Sequence, residues 1–398
     1  MQINPLLLAT ASPPIPEAKA WTAGYGGQFG PLIDLSQAVP GYPPPDELIR
    51  RIAEATMTPE ASAYGDLLGD ADLRAAYARH VSALYGGEVG ADEVAITAGC
   101  NQAFVMAAMA LAKAGEAVIL PTPWYFNHRM TLDMLGIETV ELPCHAETGF
   151  VPDPRDAEPL IDAKVRAIVL VTPNNPTGAI YPAETIRAFA ELSARRGIAL
   201  VVDETYRDFL RPESARPHGL FAGFDWRATV VDLYSFSKAY CIPGQRMGAI
   251  TASRAVLAEI AKIVDCVQIC PSRAPQRGLV WGIDALAAWR ERNRAIILER
   301  AEAFRQAIAD RDGWSVDSIG AYFAYLRHPF PGKRAAEVAS WLAAERGVLC
   351  LPGSYFGSGQ EDHLRVAFAN VDVAAIASLP ARLETGAKFR AASGGRSK

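Results

Sequence analysis

Thr229-Val230-Val231-Asp232-Leu233-Tyr234-Ser235-Phe236-Ser237-Lys238 runs from a β-branched, apolar stretch straight into two hydroxyls and a lysine. The run Thr229–Tyr234 reads as a strand that ends where polar residues gather, and the plan recurs. Val94–Thr97 leads into Ala98-Gly99-Cys100-Asn101-Gln102, and Ile198–Asp203 into Glu204-Thr205-Tyr206. Ala167–Thr172 leads into Pro173-Asn174-Asn175-Pro176-Thr177-Gly178. Ala117–Leu120 and Gly248–Ala252 are further short apolar runs, with amphipathic stretches such as Asn101–Lys113 and Ala183–Arg196 between strands. Near-continuous apolar strands alternating with helices predict an α/β fold, its mostly parallel sheet covered by helices on both faces. Ligands of such sheets bind beyond the carboxyl ends of the strands, so the polar residues just named carry the most weight.

After Pro275 the pattern changes. Gly278–Asp310 is rich in Arg, Glu and Ala with apolar residues at helical spacing, which predicts one long helix. Shorter signals follow at Tyr322–Leu326, Ala335–Glu345, Val348–Leu351, Leu364–Phe368 and Val371–Leu383. The expected organisation is an N-terminal arm with part of a small domain (1–45), a large domain (46–277), and an interdomain helix with a smaller α+β domain (278–398). Prolines 13, 14, 16, 40, 43, 44 and 45 make the arm read as extended, with a partner subunit as the surface it packs on. The tail Ala391–Lys398 reads as a mobile end.

Composition narrows the function classes. Half of the 398 residues are apolar and 21% are charged, as in a globular soluble protein. Lys plus Arg number 39 against 44 Asp plus Glu, a net charge of -5, which gives no reason to expect nucleic acid or an anionic membrane as partner. Six cysteines without a C-x-x-C pair suit a reducing, cytoplasmic setting. Leu6-Leu7-Leu8-Ala9 has no basic residue before it, so no signal peptide is expected. The uncharged stretch Val94–Ala112 approaches the ~20 residues of a membrane span, but Thr97–Gln102 breaks it into strand, turn and helix. Gly24-Tyr25-Gly26-Gly27-Gln28-Phe29-Gly30 lacks the preceding strand and following helix of a dinucleotide fingerprint. The six histidines have no metal-pair spacing, and no metal is expected.

Five motifs carry chemistry. Ser235, Ser237 and Lys238, followed by Arg246 in Pro243-Gly244-Gln245-Arg246-Met247-Gly248, suit a phosphate dianion beside an amine that forms a Schiff base; a solvated serine-rich turn is the bland reading. Asp203, at the end of a buried strand, needs a cation or several donors, for which a protonated pyridine nitrogen would serve, or else it caps the next element. Asn175 sits in a rigid turn from which its amide can donate to a phenolic oxygen. The backbone N–H groups of Cys100 and Asn101, just after Gly99, open a helix and form an anion site. Arg365, in Leu364-Arg365-Val366-Ala367-Phe368, either faces water or grips a carboxylate at two points.

In this order and at strand ends, these motifs resemble the fold-type I pyridoxal phosphate aminotransferases, the aspartate and kynurenine aminotransferase-like class, from Leu35 to about Phe368. The resemblance implies that Lys238 is the Schiff-base lysine, which also moves the α-proton. It implies that Asp203 partners the pyridine nitrogen and that Asn175 and Tyr206 bond the ring oxygen. Ser235, Ser237, Arg246 and the Gly99-Cys100-Asn101 turn would hold the phosphate. Tyr125 would stack on the ring, with Trp124 as the alternative one residue away. Arg365, with Asn175 and the backbone at Ala38, would bind the substrate carboxylate, although Ala38 stands where many members have glycine. Thr172 replaces the first Asn of the family's Asn-Pro-x-Asn-Pro-Thr-Gly motif. Tyr64, in Tyr64-Gly65-Asp66-Leu67-Leu68-Gly69, resembles the tyrosine that reaches a neighbouring subunit's phosphate, which implies a homodimer with shared sites. Arg273 is either a solvated loop arginine or a cation that reaches a neighbouring site. The implied activity is ping-pong transamination between an L-amino acid and a 2-oxo acid. A C–S β-lyase of the same fold is the alternative, and a non-catalytic ligand sensor is the reading from another class.

Overall fold

The computed structural model describes residues 1–384 apart from Ala215, Asp310 and Asp312, so the tail Ala391–Lys398 lies outside the described residues. The strands are β1 (Ile33–Asp34), β2 (Val94–Thr97), β3 (Ala117–Thr122), β4 (Glu138–Pro143), β5 (Val165–Val171), β6 (Ala199–Asp203) and β7 (Val230–Ser235). They continue with β8 (Gly248–Thr251), β9 (Ser315–Gly320), β10 (Phe323–Arg327), β11 (Val348–Leu349), β12 (Leu351–Pro352) and β13 (His363–Val366). Seven form one sheet in the order β2-β8-β7-β6-β5-β3-β4. Only β8 runs against its neighbours.

That sheet is the α/β fold expected from the sequence. All six residues of β3 and of β7 are buried, because helices cover both faces. On one face Val202 and Tyr234 pack with Leu73, Tyr77 and Phe189. On the other Val201, Val231 and Leu233 pack with Phe104 and Leu257. Since β2, β3, β5, β6 and β7 share one direction, the turns after them emerge along one edge. The segment entering β8 starts from that same edge, because β8 is reversed. Residues scattered from 99 to 246 in sequence thereby meet.

The second sheet, β12-β13-β10-β9, is antiparallel and packs with the helices Ala335–Trp341 and Ala287–Ile308 around a core that includes Phe304, Trp314, Phe323 and Phe368. β1 pairs in parallel with β11, which ties the N-terminal segment to this core through Ile33 and Leu35.

Three expectations are corrected, and two strands appear where none was expected. The long helix is two, Arg273–Ala285 and Ala287–Ile308, broken at Leu286, whose φ -96 and ψ 13 fall in the bridge region. The stretch Val371–Leu383 is likewise two helices, Val373–Ala377 and Leu379–Leu383. Pro380 has no N–H to continue the first. The arm is not extended throughout: Pro5–Ala9 and Pro14–Ala20 are helical, each with a proline in its first turn, and Asn4 caps the first by accepting from Leu6 N at 3.0 Å. β4 and β9 lie on sheet edges and lack the continuous apolar pattern of the inner strands.

Candidate active site

The strand ends enclose a cavity of about 160 Å³ lined by Cys100, Asn101, Tyr125, Asn175, Asp203, Tyr206, Ser235, Ser237, Lys238 and Arg246, together with Val171 and Thr205. Ten of the residues singled out in the sequence are thus brought together.

One end of the cavity is built for an anion. Cys100 opens the helix Cys100–Leu111, so its unpaired N–H groups face the cavity end. Gly99 precedes it at φ +87, and a Cβ there would stand 2.2 Å from Arg246 Nη2, so only glycine admits the guanidinium. Arg246 is fixed by donating to the carbonyls of Pro243 (3.0 Å) and Ala98 (3.2 Å), and no carboxylate pairs with it among the described residues. Ser235 caps the short helix Phe236–Ala239 by accepting from Ser237 N at 3.3 Å, which sets both hydroxyls and Lys238 on one turn.

The other end carries a negative charge. Asp203, 4% exposed, accepts from Thr205 N (3.0 Å) and Thr205 Oγ1 (2.7 Å), and its Oδ2 lies 3.3 Å from His128 Nε2. Burial by itself would raise its pKa, but the bonds from His128 and Thr205 bring it below the ordinary carboxylate value. The His128 ring is held by stacking on Phe104 at 3.9 Å between centroids. Neither His128 nor Thr205 was identified from the sequence. His128 stands three residues after Tyr125 at a helix start, a spacing that places the two on neighbouring positions of that helix's first turn.

Lys238 lines the same cavity, and its Nζ donates to the Ala38 carbonyl. Burial, aided by the Arg246 and Arg365 charges, lowers its pKa to about 8. Tyr125 bonds Asn101 Oδ1 at 3.3 Å, and burial pushes its phenol up to about 12. Burial also raises Tyr206, so both stay protonated donors. Trp124 does not line the cavity; its ring packs under Arg129 and its backbone N–H donates to the Phe356 carbonyl at 2.9 Å. Thr172, in the place of an asparagine, accepts from Tyr181 N at 3.0 Å, and Asn174 accepts from Thr177, so the turn closes and leaves Asn175 directed at the cavity.

Arg365 joins the site from β13. Its Nη1 bonds Asn175 Oδ1 at 3.2 Å, Nη2 bonds the Ser36 carbonyl, and the buried Nε has no partner. The guanidinium lies 5.2 Å from the ring centres of Phe323 and Phe356. Burial lowers its pKa to about 10, which still leaves it charged at neutral pH. A buried cation with a free donor and no carboxylate is costly unless a ligand supplies the anion.

Two residues lie elsewhere. Tyr64 is 78% exposed on the surface, outside its own chain's cavity. Arg273 starts a helix rather than standing in a solvated loop, and it donates to Asp70 Oδ1 (3.1 Å) and the Glu60 carbonyl (2.6 Å).

An anion cradle, a carboxylate for a ring cation and a lysine in one cavity fit pyridoxal phosphate. Comparison with known proteins agrees. The family model for aminotransferase class I and II matches residues 30–383. The chain is 28% identical over 362 residues to an aromatic aminotransferase of Arabidopsis thaliana, covering 89% of each. It is 29% identical over 377 residues to a valine–pyruvate aminotransferase of Mycobacterium tuberculosis, covering 91% of this chain and 93% of that one. Its fold is that of a Thermus thermophilus aspartate aminotransferase, with a TM-score of 0.88, 22% identity and coverage of 96% and 98%. These relatives do not favour a lyase or a sensor. A family match of that extent makes the chain a member of the class I and II aminotransferases, and so a pyridoxal phosphate-dependent enzyme that moves an amino group from an amino acid to a 2-oxo acid.

Proposed function

We propose the following division of labour for that transamination. Pyridoxal phosphate supplies, when bound, an electron-accepting ring that no side chain provides. Ser235, Ser237, Arg246 and the N–H groups after Gly99 grip the phosphate. Asp203 holds a proton on the ring nitrogen by its negative charge, and Asn175 and Tyr206 bond the ring oxygen. Tyr125 covers the ring. Lys238 Nζ would hold the cofactor in the resting enzyme and would carry the proton to and from the substrate Cα. Arg365 fixes the substrate α-carboxylate. The observation that carries this reading is a lysine of lowered pKa that lines one cavity with an anion cradle and a buried carboxylate. Absorbance of the holoenzyme during single turnovers with a panel of amino acids tests it, since loss and recovery of the cofactor band must follow donor and then acceptor.

Arg365→Met should lower kcat/KM for amino acids by roughly a hundredfold or more, because a buried charged contact to the carboxylate is lost. The same change removes a buried, partly unpaired charge, so the folded protein should melt at the same or a higher temperature. Steady-state kinetics and a thermal melt measure the two effects, and a variant that keeps full kcat/KM would place the carboxylate elsewhere.

The active unit is inferred to be a homodimer in which Tyr64 serves the partner's phosphate, and the setting to be cytoplasmic. The exposed side chains of Met57, Tyr64, Leu67, Val267 and Ile269 support a covered apolar face there. All six cysteines are unpaired, and no helix among the described residues is long and apolar enough to cross a membrane. Mixing Lys238→Ala with Tyr64→Ala chains should raise activity to about a quarter of the wild-type rate, since half of randomly mixed dimers are hybrids with one intact site. No rise above the Tyr64→Ala level would confine Tyr64 to its own subunit.

A further inference from the structure

The segment Asp203-Glu204-Thr205-Tyr206-Arg207 faces two ways. Asp203, Thr205 and Tyr206 line the cavity, whereas Glu204 and Arg207 turn to the far side of the sheet, their side chains 0% and 1% exposed. A guanidinium so deeply buried persists only with several partners. Arg207 Nη2 donates to the Tyr77 hydroxyl at 3.1 Å and Nη1 to the Tyr85 hydroxyl at 3.4 Å. Nη1 also lies 3.5 Å from Glu204 Oε2 and 3.9 Å from Asp232 Oδ1. The guanidinium carbon stands 4.0 Å over the Tyr234 ring. Tyr77 and Tyr85 belong to the helix Ala71–Tyr85, and Asp232 and Tyr234 belong to β7, whose end carries Ser235 and, beyond it, Lys238. One side chain therefore ties the loop after β6 to a neighbouring helix and to the strand that presents the lysine.

The charges of this cluster balance internally. Glu204, His218 and Asp232 bring three ligand atoms within 4.8 Å of one another, a spacing a metal ion could use. Arg207 already places a positive charge beside both carboxyls, and a divalent cation added there would be repelled. Asp232 is fully buried, and burial beside Glu204 pushes its pKa up. Burial lowers His218, which is therefore neutral at pH 7. Arg207 set against Glu204 and Asp232 is an anchor and not a metal centre.

We propose that Arg207 is a positioning residue for transamination: from the far side of the sheet it fixes the loop that presents Asp203 and Tyr206 to the cofactor ring. This rests on the roles given above to those two residues. Arg207 touches neither substrate nor cofactor, so its loss should alter the environment of the ring while leaving the carboxylate grip of Arg365 intact.

The test uses the Arg207→Met/Glu204→Gln double variant, which removes both charges together, and Tyr77→Phe, which removes a single hydroxyl and leaves the core filled. In the double variant kcat should fall about 10- to 100-fold, as expected for a small misplacement of reacting groups. KM for the amino acid should stay within about threefold, because substrate binding is not what was removed. The midpoint of the bound cofactor's absorbance against pH should move by about half a unit or more, since the Asp203 charge has shifted relative to the ring. Tyr77→Phe should move the same readings in the same direction by less. A loss confined to the melting temperature, with kcat and the absorbance midpoint unchanged in either folded variant, overturns the proposal. Asp203→Ala measured alongside separates the two levels. A wild-type rate there rejects the role of Asp203 itself, whereas a slow Asp203→Ala beside unchanged Arg207 and Tyr77 variants rejects only the anchor.

Discussion

Lys238→Ala is expected to abolish turnover, by at least ~10⁴-fold, since both the amine that holds the cofactor and the group that moves the substrate proton are removed. The bound cofactor should also lose its visible imine absorbance, and borohydride reduction should no longer label the chain. The local structure explains why this amine is suited to the work. Burial, with the Arg246 and Arg365 charges near, lowers its pKa from 10.5 to about 8. At pH 7 about a tenth of the amine is then free, against roughly 0.03% for an unperturbed lysine. The gain is a few hundredfold in reactive amine. Below about pH 8 most of the amine is ammonium, so uptake of cofactor by the apo-protein should quicken as pH rises through that value. A Lys238→Ala protein that transaminates, or an uptake rate flat from pH 6.5 to 9 (about the range spanning that value), would contradict the assignment.

Asp203→Ala should lower kcat by about a thousandfold, or roughly 4 kcal/mol in the barrier, while weakening cofactor binding by only about tenfold. The asymmetry follows from where the grip resides. The phosphate grip of Ser235, Ser237 and Arg246 keeps its side chains, whereas the charge that keeps the ring nitrogen protonated is gone. Asp203→Asn refines the result, because an amide oxygen can still accept from Thr205 but carries no charge. If Asn restored most of the rate, geometry and not charge would be the contribution of this residue. Fluorescence titration of cofactor and single-turnover rates give the two numbers independently.

Much of this was legible because the inner strands are buried on both faces. Val165–Val171 and Val230–Ser235 are apolar over most of their length, Arg166 and Asp232 apart, so the polar residues gathered at the end of each mark a strand end. Asp203, Lys238 and the Gly99 turn stand out on that ground alone. β4 was missed because it is an edge strand: Glu138-Thr139-Val140-Glu141-Leu142-Pro143 is partly exposed and resembles a loop. The break at Leu286 carries no glycine or proline and had no local sign. His128 was opaque for a different reason. Its value lies in a ring stacked on Phe104 and a nitrogen 3.3 Å from Asp203, and both are products of tertiary packing. Arg207 is similar: in sequence it is one more charge in a polar loop, and only the tyrosines from a distant helix reveal it as an internal strut.

The reversed strand β8 has a consequence for how this scaffold can vary. At its first residue, Gly248, even a methyl group would sit 2.7 Å from the Gly99 carbonyl carbon and 2.9 Å from Cys100 N. The start of β8 and the turn that follows its neighbour β2 thus touch with no room for a side chain between them. Drift at position 248 is closed to every other amino acid, and the first property surrendered would be retention of the vitamin, well before the architecture itself gave way.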